Sequence, residues 1–269
     1  MPATQATNAE ADEVRQWART YQYDRYMSAL LLPRRHREAL IVLAAFAAEL
    51  QRIPFIVSEP MMAAVRFQWW RDELISAAAP GGKPAKTGHQ LCDAVVATAR
   101  DYDLPFGLLQ GMIDASETEL DATPFAEAAE TRQVLIKFEG ALFELAGRVL
   151  ASGVARDIWQ LAAVAYGSAR LAAEYARRHA VGAQTFKSQD CKDTVQAFVD
   201  PARQALEAVR AQASKMDRGS KGALLPLATV APLLRVVAGQ DQHTDATNAL
   251  LSDFTRARLI LWAHWRGRI

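Results

Sequence analysis

The chain has 269 residues, which is enough for one large domain or two small ones with a sizeable apolar core. Hydrophobic residues make up 51% of the chain and alanine is the commonest of them, which favours helix over sheet. The formal net charge is +1, so the composition excludes a strongly basic protein and predicts no nucleic-acid partner. Cys92 and Cys191 lie outside any metal-binding or redox spacing and are interpreted as reduced thiols.

The N-terminus and the apolar runs bear on where the protein resides. Residues 1–14 contain no basic region followed by an apolar run, so no secretory signal is predicted. The longest apolar runs, Ala39–Ala48 and Ala223–Leu234, are shorter than a membrane span. We therefore expect a soluble, cytoplasmic protein.

A helical period of about 3.6 residues recurs in almost every segment, and strand-like alternation is almost absent. No composition shift or repeat marks a second domain, so we predict a single all-α domain over residues 1–269, with residues 1–10 flexible. In chain order the predicted helices cover residues 9–28 (as one helix or two), 34–52, 59–78, 89–101, 105–121, 124–151, 155–180, 189–215, 221–237 and 245–265.

Two prolines are expected to set helix boundaries. Pro33 follows the first helical segment, and Pro54 is expected to end the helix that begins at Arg34, because its ring clashes with the preceding turn. Ser58 is a candidate N-cap for the next helix, with Glu59 in the first turn of that helix.

One acidic cluster is a candidate metal site. Asp114, Glu117 and Asp121 fall on one face of a predicted helix, where three carboxylates can bind Mg²⁺. The alternative, which we favour, is a solvated acidic face, because like charges usually line up toward water. The common phosphate, dinucleotide, zinc and acyl-transfer motifs are absent from the sequence.

The order of several motifs resembles the squalene/phytoene synthase family. The stretch "YDRYMSALLLPRRHREALIVLAAFAAEL" carries the Leu-Pro break at Leu32, then Arg37, Ala45 and Phe46, in the frame of that family's opening helices. The stretches "WWRDEL", "LLQGMIDASETELD", "FEGALFELAGRVL" and "YGSARLAAEYAR" follow in the family's order, so the resemblance covers about residues 20–180. It implies an all-α bundle of the isoprenoid synthase type.

The residues that would bind metal in this family are replaced in this chain. In active members, two aspartate-rich motifs hold the Mg²⁺ ions that activate two prenyl diphosphates. The resemblance places the first set of aspartates at Gln51, Arg52 and Phe55, and the second at Arg178 and near Gly182. It therefore implies loss of conventional synthase activity, with no bound cofactor and no Mg²⁺ unless another carboxylate set has taken over.

The stretch "AFAAELQRIPFIVSEPMMAAVRFQWWRDEL", from Ala45 to Leu74, resembles the corresponding segment of a mitochondrial respiratory complex I assembly factor of the same superfamily. The matching residues are Ala45, Phe46, Glu49, Leu50, Val57, Ser58, Glu59, Arg66, Gln68 and Trp70. We call residues 49–70 of this stretch the elbow. The elbow is therefore interpreted as a replacement motif with its own function. The alternative is that Glu49, Ser58 and Glu59 merely cap helices or pair with Arg52 or Arg66. The candidate pocket or partner site comprises Phe46, Glu49, Arg52, Ser58, Glu59, Arg66, Trp70, Glu174 and Arg177.

Three functions remain open for such a bundle. The first is an assembly or interaction protein linked to respiratory complex I, which docks a partner subunit at the inner face of the cell membrane. The second is a protein that binds an isoprenoid, quinone or other lipid tail in the former prenyl channel. An open interior channel would favour this second function, and a filled core the first. The third is a divergent prenyl-diphosphate transferase of the squalene/phytoene synthase type.

The third function needs a new set of inward carboxylates, for which the candidates are Glu49, Glu139, Glu144 and Glu174. Glu139 and Glu144 are five residues apart, about 140° round a helix, so they do not share a face. Glu174 follows Arg170 by four residues and is predicted to pair with it. The spacing therefore favours the non-catalytic functions.

The C-terminal stretch "RARLILWAHWRGRI" combines arginines with tryptophans and holds no acidic residue. Basic helices rich in tryptophan can lie at a bilayer interface, so peripheral contact with the inner face of the membrane is one interpretation. The other is a final core helix with arginines near its negative end. The residues in question are Arg256, Arg258, Trp262, Trp265, Arg266 and Arg268.

Overall fold

The computed structural model describes residues 2–57, 59–79, 87–121, 128–153, 156–180, 188–238 and 251–269. Within those ranges every regular element is helical, which confirms the predicted all-α fold. The elements are α1 (Pro2–Tyr21), α2 (Tyr23–Leu31), α3 (Arg34–Ile56), α4 (Pro60–Ala78), α5 (Gln90–Asp101), α6 (Phe106–Asp121), α7 (Ala128–Leu135), a π-helical turn (Ile136–Gly140), α8 (Ala141–Val149), α9 (Arg156–Ala180), α10 (Ser188–Ala213), α11 (Arg218–Lys221), a 3₁₀ helix (Gly222–Thr229), α12 (Val230–Ala238) and α13 (Asp253–Arg266).

Helix α3 is longer than the sequence predicted. It continues through Pro54 to Ile56, so the expectation that Pro54 ends this helix is wrong. A proline removes only one backbone hydrogen bond, and its fixed φ is compatible with helix. Because the helix ends two residues later, the disruption is confined to its last turn.

Two predicted helices change type along their length. The segment predicted as 124–151 contains a π-helical turn at Ile136–Gly140 between α7 and α8. The segment predicted as 221–237 begins as a 3₁₀ helix with Pro226 inside it, and becomes α-helical at Val230. A π-helical turn carries an extra residue and rotates the side chains that follow it. This matters for Glu139, which lies in that turn.

Small residues allow the helices to approach one another closely. Helix α3 runs through the first part of the core and contacts α1, α2, α5 and α8, while α9 packs along α10 and against α12. At Gly167 of α9, an added Cβ would lie 2.5 Å from Cδ2 of Leu135, so a larger residue there would require the Leu135 side chain to move. The alanines of α3 that are buried in this core are Ala39, Ala44, Ala45, Ala47 and Ala48.

Two segments of the described chain are long and apolar enough to cross a membrane, judged by length and composition alone. They are Arg34–Ile56 and Arg218–Ala238, and 67% and 56% of their most apolar windows are buried inside the protein. Each segment is longer than the apolar run that it contains, because the helix continues into less apolar residues on either side of the run. Such burial is typical of core helices.

Candidate functional site

A cavity of about 950 Å³ lies between the C-terminal half of α3 and helix α9. The ends of α1 and α2, the 3₁₀ helix, α12 and α13 complete its wall. The residues that line it are Tyr21, Gln22, Asp24, Ala48, Gln51, Arg52, Phe55, Ile56, Tyr166, Ala169, Arg170, Ala173, Glu174, Arg177, Thr229, Val230, Leu233, Leu251 and Arg256.

The α3 wall contains the three positions at which the sequence resemblance placed metal-binding aspartates. Gln51, Arg52 and Phe55 all line the cavity. Gln51 accepts a hydrogen bond of 2.7 Å from Nε2 of Gln22, and its own buried Nε2 has no hydrogen-bond partner in the described chain. Because this nitrogen is also closed to solvent, the position holds an unsatisfied buried donor.

Arg52 is held by aromatic rings at the mouth of the cavity. Its guanidinium carbon lies 4.7 Å from the ring centre of Tyr21 and 5.3 Å from that of Trp17. Its Nη1 is 3.9 Å from Oε2 of the buried Glu49. These contacts orient a cation at a position where the family's mechanism needs an anion.

The α9 wall carries Arg170, Glu174 and Arg177 on successive turns. Arg170 Nη1 lies 3.9 Å from Oε2 of Glu174, which confirms the predicted pair. Arg177 is exposed, and no ion pair joins it to another described residue. The side chain of Arg178 and the whole of Gly182 lie outside the described residues, so the second aspartate-rich position is only partly visible.

Asp24 is the centre of the cavity floor, a name we give to Asp24, Tyr166, Thr229 and Arg256. Its carboxylate accepts hydrogen bonds from Arg256 Nε at 2.7 Å, from the Thr229 hydroxyl at 3.0 Å and from the Tyr166 hydroxyl at 3.2 Å. Burial, reinforced by the Asp24 charge, raises the pKa of Tyr166. Burial alone would lower the pKa of Arg256, but the adjacent Asp24 outweighs it and raises that pKa. The floor is therefore a fixed, internally neutralised cluster.

A second buried ion pair lies directly behind the floor. Arg25 Nη2 is 2.6 Å from Oε2 of Glu139, and the Nε of Arg170 is 3.4 Å from the other oxygen of that carboxylate. The Arg25 guanidinium also stacks on Phe143 and Tyr166, at 4.4 and 5.0 Å from the ring centres. Glu139 is thus shared between two arginines.

The elbow residues fall into two groups. Phe46 and Trp70 are core side chains whose rings pack edge to face with 5.0 Å between their centres, and neither lines the cavity. Glu49 is buried and lies 3.3 Å from Nη2 of Arg66, as the pairing alternative predicted. Glu59 is exposed and is the N-cap residue of α4, so its predicted place in the first turn is wrong by one residue, and its side chain makes no capping hydrogen bond.

Ser58, the predicted N-cap of α4, lies outside the described residues. Of the nine candidate site residues, the structure therefore brings three together at the cavity: Arg52, Glu174 and Arg177.

The carboxylates proposed as alternative metal ligands form ion pairs with arginines. Glu144 lies 2.9 Å from Arg148 and 3.5 Å from Arg156, on a different set of partners from Glu139. Within the described ranges, no group of three or more histidine, cysteine or acidic side chains could hold a metal ion. The residues that line the cavity therefore do not fit the Mg²⁺ ions of the synthase mechanism.

The acidic cluster of α6 is an interhelical contact. Asp114 accepts a hydrogen bond of 2.9 Å from Nε of Arg71 on α4, and Glu117 pairs with Nη2 of the same arginine. The favoured interpretation, a solvated face, is incomplete because Arg71 lies across both carboxylates. The side chain of Asp121 lies outside the described residues.

Sequence reasoning missed the cavity floor. Asp24 and Arg256 are 232 residues apart, and no local pattern links them. The sequence places Arg256 among the other basic residues of the C-terminal stretch, but it faces the cavity and binds Asp24. The signal in the sequence is the single acid of the largely apolar residues 23–31, which needs a cationic partner if it is buried.

Comparisons with known proteins agree with this architecture. The solved structure of squalene synthase HpnC from Alicyclobacillus acidocaldarius is similar, with a TM-score of 0.65 and 13% sequence identity, covering 96% of this chain and 94% of that chain. At this identity the likeness shows the fold alone. No curated protein matches the sequence. The profile of the family described as Squalene/phytoene synthase matches residues 18–170, more than half of the chain. The chain therefore belongs to the squalene/phytoene synthase family.

Proposed function

We propose that this protein is a non-catalytic member of its family that binds one isoprenoid or similar lipid, with an anionic head group, in the retained cavity. The observation that carries the proposal is the replacement of the metal-ligand positions by Gln51, Arg52 and Phe55 on the cavity wall. The cavity is open, yet its chemistry no longer suits a metal ion. What it suits instead follows from its charges and its shape.

The arginines at the mouth favour an anionic head group. Four arginines line the cavity, and two of them are paired inside it: Arg256 with Asp24 at the floor, and Arg170 with Glu139 behind the floor. The other two, Arg52 and Arg177, lie at the mouth, where Arg52 has a longer contact of 3.9 Å with Glu49. A guanidinium binds a phosphate directly, in a bidentate geometry, without a metal.

The other walls favour an apolar tail. A volume of about 950 Å³ lies at the upper end of the range for small-molecule sites. Between the charged mouth and floor the wall is apolar, which buries a hydrocarbon chain at the expense of water. The apolar residues concerned are Ala48, Ala169, Ala173, Val230, Leu233 and Leu251.

Calorimetric titration with a non-hydrolysable prenyl diphosphate analogue tests this proposal. We expect binding of similar affinity in the presence of Mg²⁺ and of a chelator, and weaker binding by an Arg52→Ala, Arg177→Ala double variant. Arg203→Ala is the matched control, because Arg203 is an exposed arginine of α10 away from the cavity. Native mass spectrometry of the purified protein should reveal a co-purified lipid.

The divergent prenyl-diphosphate transferase is the result that would overturn the proposal. Turnover of farnesyl or geranylgeranyl diphosphate above a no-enzyme control, abolished by chelator, would show that other carboxylates hold Mg²⁺. We expect no such turnover, because Glu49, Glu139 and Glu174 each lie against an arginine.

A second candidate function, assembly of respiratory complex I, is supported by the outer surface of the elbow. Phe55, Met61, Met62 and Val65 are between 53% and 75% exposed, in a segment that resembles the assembly-factor branch. Large apolar side chains clustered on a surface favour contact with a partner. We propose that this surface docks a partner subunit at the inner face of the membrane.

Complementation of a strain lacking the gene tests the assembly function. An Arg52→Ala, Glu59→Ala variant and a Met61→Ser, Met62→Ser variant should fold but fail to restore respiratory NADH oxidation. Ile75→Ser, an equally exposed position near the other end of α4, should restore it fully. Full complementation by both double variants would remove the elbow from this function.

A further inference from the structure

Helix α13 has two contrasting faces. One face is fixed to the protein by the buried Ile260 and by the 2.7 Å contact from Arg256 to Asp24. The opposite face carries four large apolar side chains that are between 50% and 76% exposed. They are Phe254, Leu261, Trp262 and Trp265.

These four residues form one continuous surface, which we call the outer face of α13. At about 100° per residue they fall within an arc of about 100°, centred almost opposite Arg256. Along the axis the arc extends for about 16 Å, from Phe254 to Trp265. The solvent side of a surface helix is normally polar, so this arrangement indicates that something apolar covers the outer face.

Among the residues that the structure describes in α13 and at its C-terminal end, the charges around the outer face have one sign. Arg258 lies inside the arc, and Arg266 holds its guanidinium carbon 4.0 Å from the ring centre of Trp262. Arg268 follows within two residues of the helix end. The acid of this helix, Asp253, lies outside the arc and pairs with Arg256 at 3.2 Å. The outer face is therefore apolar and cationic, without a counter-charge of its own.

We propose that the outer face of α13 docks on the surface of an anionic lipid bilayer. Tryptophan prefers the interface between hydrocarbon and head groups, and arginines gain from a negatively charged lipid surface. Apolar burial and basic charge together supply the two contributions that stable peripheral binding requires.

A second copy of the chain fits this surface less well. In a twofold dimer the same patch meets itself, so Arg258 and Arg266 of both copies would face one another without an intervening acid. Like charges across an interface suppress association. A bilayer with anionic head groups instead supplies the missing counter-charge along the whole patch.

Docking would also place the cavity close to the membrane. Arg256 lines the cavity floor, and Trp265 is about 14 Å further along the same rigid helix, on its opposite side. A lipid taken up by the cavity would have to travel only a short distance from the bilayer. The docking itself depends only on the outer face, independently of whether the cavity binds a lipid.

Co-sedimentation of the full-length protein with vesicles tests the proposal. We expect binding to vesicles of phosphatidylcholine mixed with phosphatidylglycerol, and little binding to phosphatidylcholine alone. A Trp262→Ser, Trp265→Ser variant should bind the mixed vesicles at least about tenfold more weakly than the original chain. An Arg258→Gln, Arg266→Gln, Arg268→Gln variant should lose roughly a hundredfold, and added salt should weaken the original chain in the same direction.

Two controls separate this surface from others. Ile75→Ser and Met61→Ser, Met62→Ser change equally exposed apolar residues elsewhere and should leave vesicle binding intact. An Arg52→Ala, Arg177→Ala variant should also bind vesicles normally, which separates this proposal from lipid binding in the cavity. All the changes on α13 are at solvent-facing positions, and circular dichroism should show unaltered helicity.

Several outcomes would overturn the proposal. Equal binding to neutral and mixed vesicles would show that the charge of the lipid does not matter. Retention of binding by both α13 variants would show that the outer face of α13 is not the membrane contact. Loss of binding by the elbow variant alone would assign the membrane contact to the elbow. A dimer in light scattering that dissociates with Trp262→Ser, Trp265→Ser would assign the outer face to a second copy.

Discussion

At the floor of the cavity Asp24 and Arg256 lie 2.7 Å apart, whereas at its rim the cations are in looser contact with acidic groups. Arg177 is exposed, and Arg52 stacks on aromatic rings with Glu49 only at 3.9 Å. Asp24 is bonded to Arg256, and Glu139 behind it is shared between Arg25 and Arg170. We use rim for the residues at the mouth of the cavity: Tyr21, Arg52, Phe55, Ile56 and Arg177.

The difference separates structural charges from those available to a ligand. The floor joins α2, the 3₁₀ helix, α9 and α13 through hydrogen bonds among buried groups, which need a partner inside the protein to be tolerated there. The rim needs no internal partner, because water solvates it in the absence of a ligand. Changes at the floor should therefore alter stability, and changes at the rim should alter binding.

The largest effect is expected behind the floor. Glu139→Leu leaves the Arg25 guanidinium buried without its carboxylate, and the side chains are 1% and 7% exposed. Breaking a buried pair in this way typically lowers the free energy of unfolding by about 3–5 kcal/mol, measured by urea denaturation. Asp200→Asn, which breaks the exposed pair with Arg203, should lower it by about 0.5 kcal/mol or less. Equal losses would erase the distinction between buried and exposed charges.

Trp70→Ala tests whether the elbow contributes to the protein core. Trp70 is fully buried against Phe46, so its removal should lower the free energy of unfolding by about 3 kcal/mol. Trp265→Ala, at an exposed position, should change it by about 0.5 kcal/mol or less. Thermal or urea unfolding followed by circular dichroism measures both, and a small loss for Trp70→Ala would place that ring outside the core.

At the rim the effect should appear in ligand affinity. The Arg52→Ala, Arg177→Ala double variant lacks both rim arginines. It should bind a prenyl diphosphate analogue roughly tenfold to a hundredfold more weakly. Arg52→Ala alone should also lower stability by about 1 kcal/mol, because this side chain stacks on Trp17 and Tyr21. That is more than the loss of about 0.5 kcal/mol or less that is typical of an exposed charge. Unchanged affinity in calorimetry would assign the rim no role in binding.

The smallest effect concerns pH and lies away from both regions. Burial, followed by the nearby Arg218 charge, lowers the pKa of His264 in the folded protein. The unfolded chain then binds a proton at higher pH than the folded chain does, so stability is complete above about pH 6.5 and falls as the pH drops below it. His264→Gln should make the melting temperature less sensitive to acid in this window. An identical dependence in both proteins would exclude His264 as a contributor.

The sequence was sufficient for the fold class and for part of the site. Helical periodicity depends on neighbours three and four residues away, so the all-α bundle could be predicted from the chain itself. The same locality explains why the Arg170–Glu174 pair was predicted correctly. The family frame also identified Gln51, Arg52 and Phe55, because a motif keeps its spacing within one helix.

Other features were decided only by how the helices pack. Phe46 and Trp70 were candidate site residues by position in the chain, but they face the core because α4 packs alongside α3. Asp24 and Arg256 meet across 232 residues, and Glu139 meets Arg25 across 114. A charge pattern within one helix does not specify which distant helix will lie beside it. Only the tertiary arrangement decides which arginines are neutralised at the floor and which remain for a ligand at the rim.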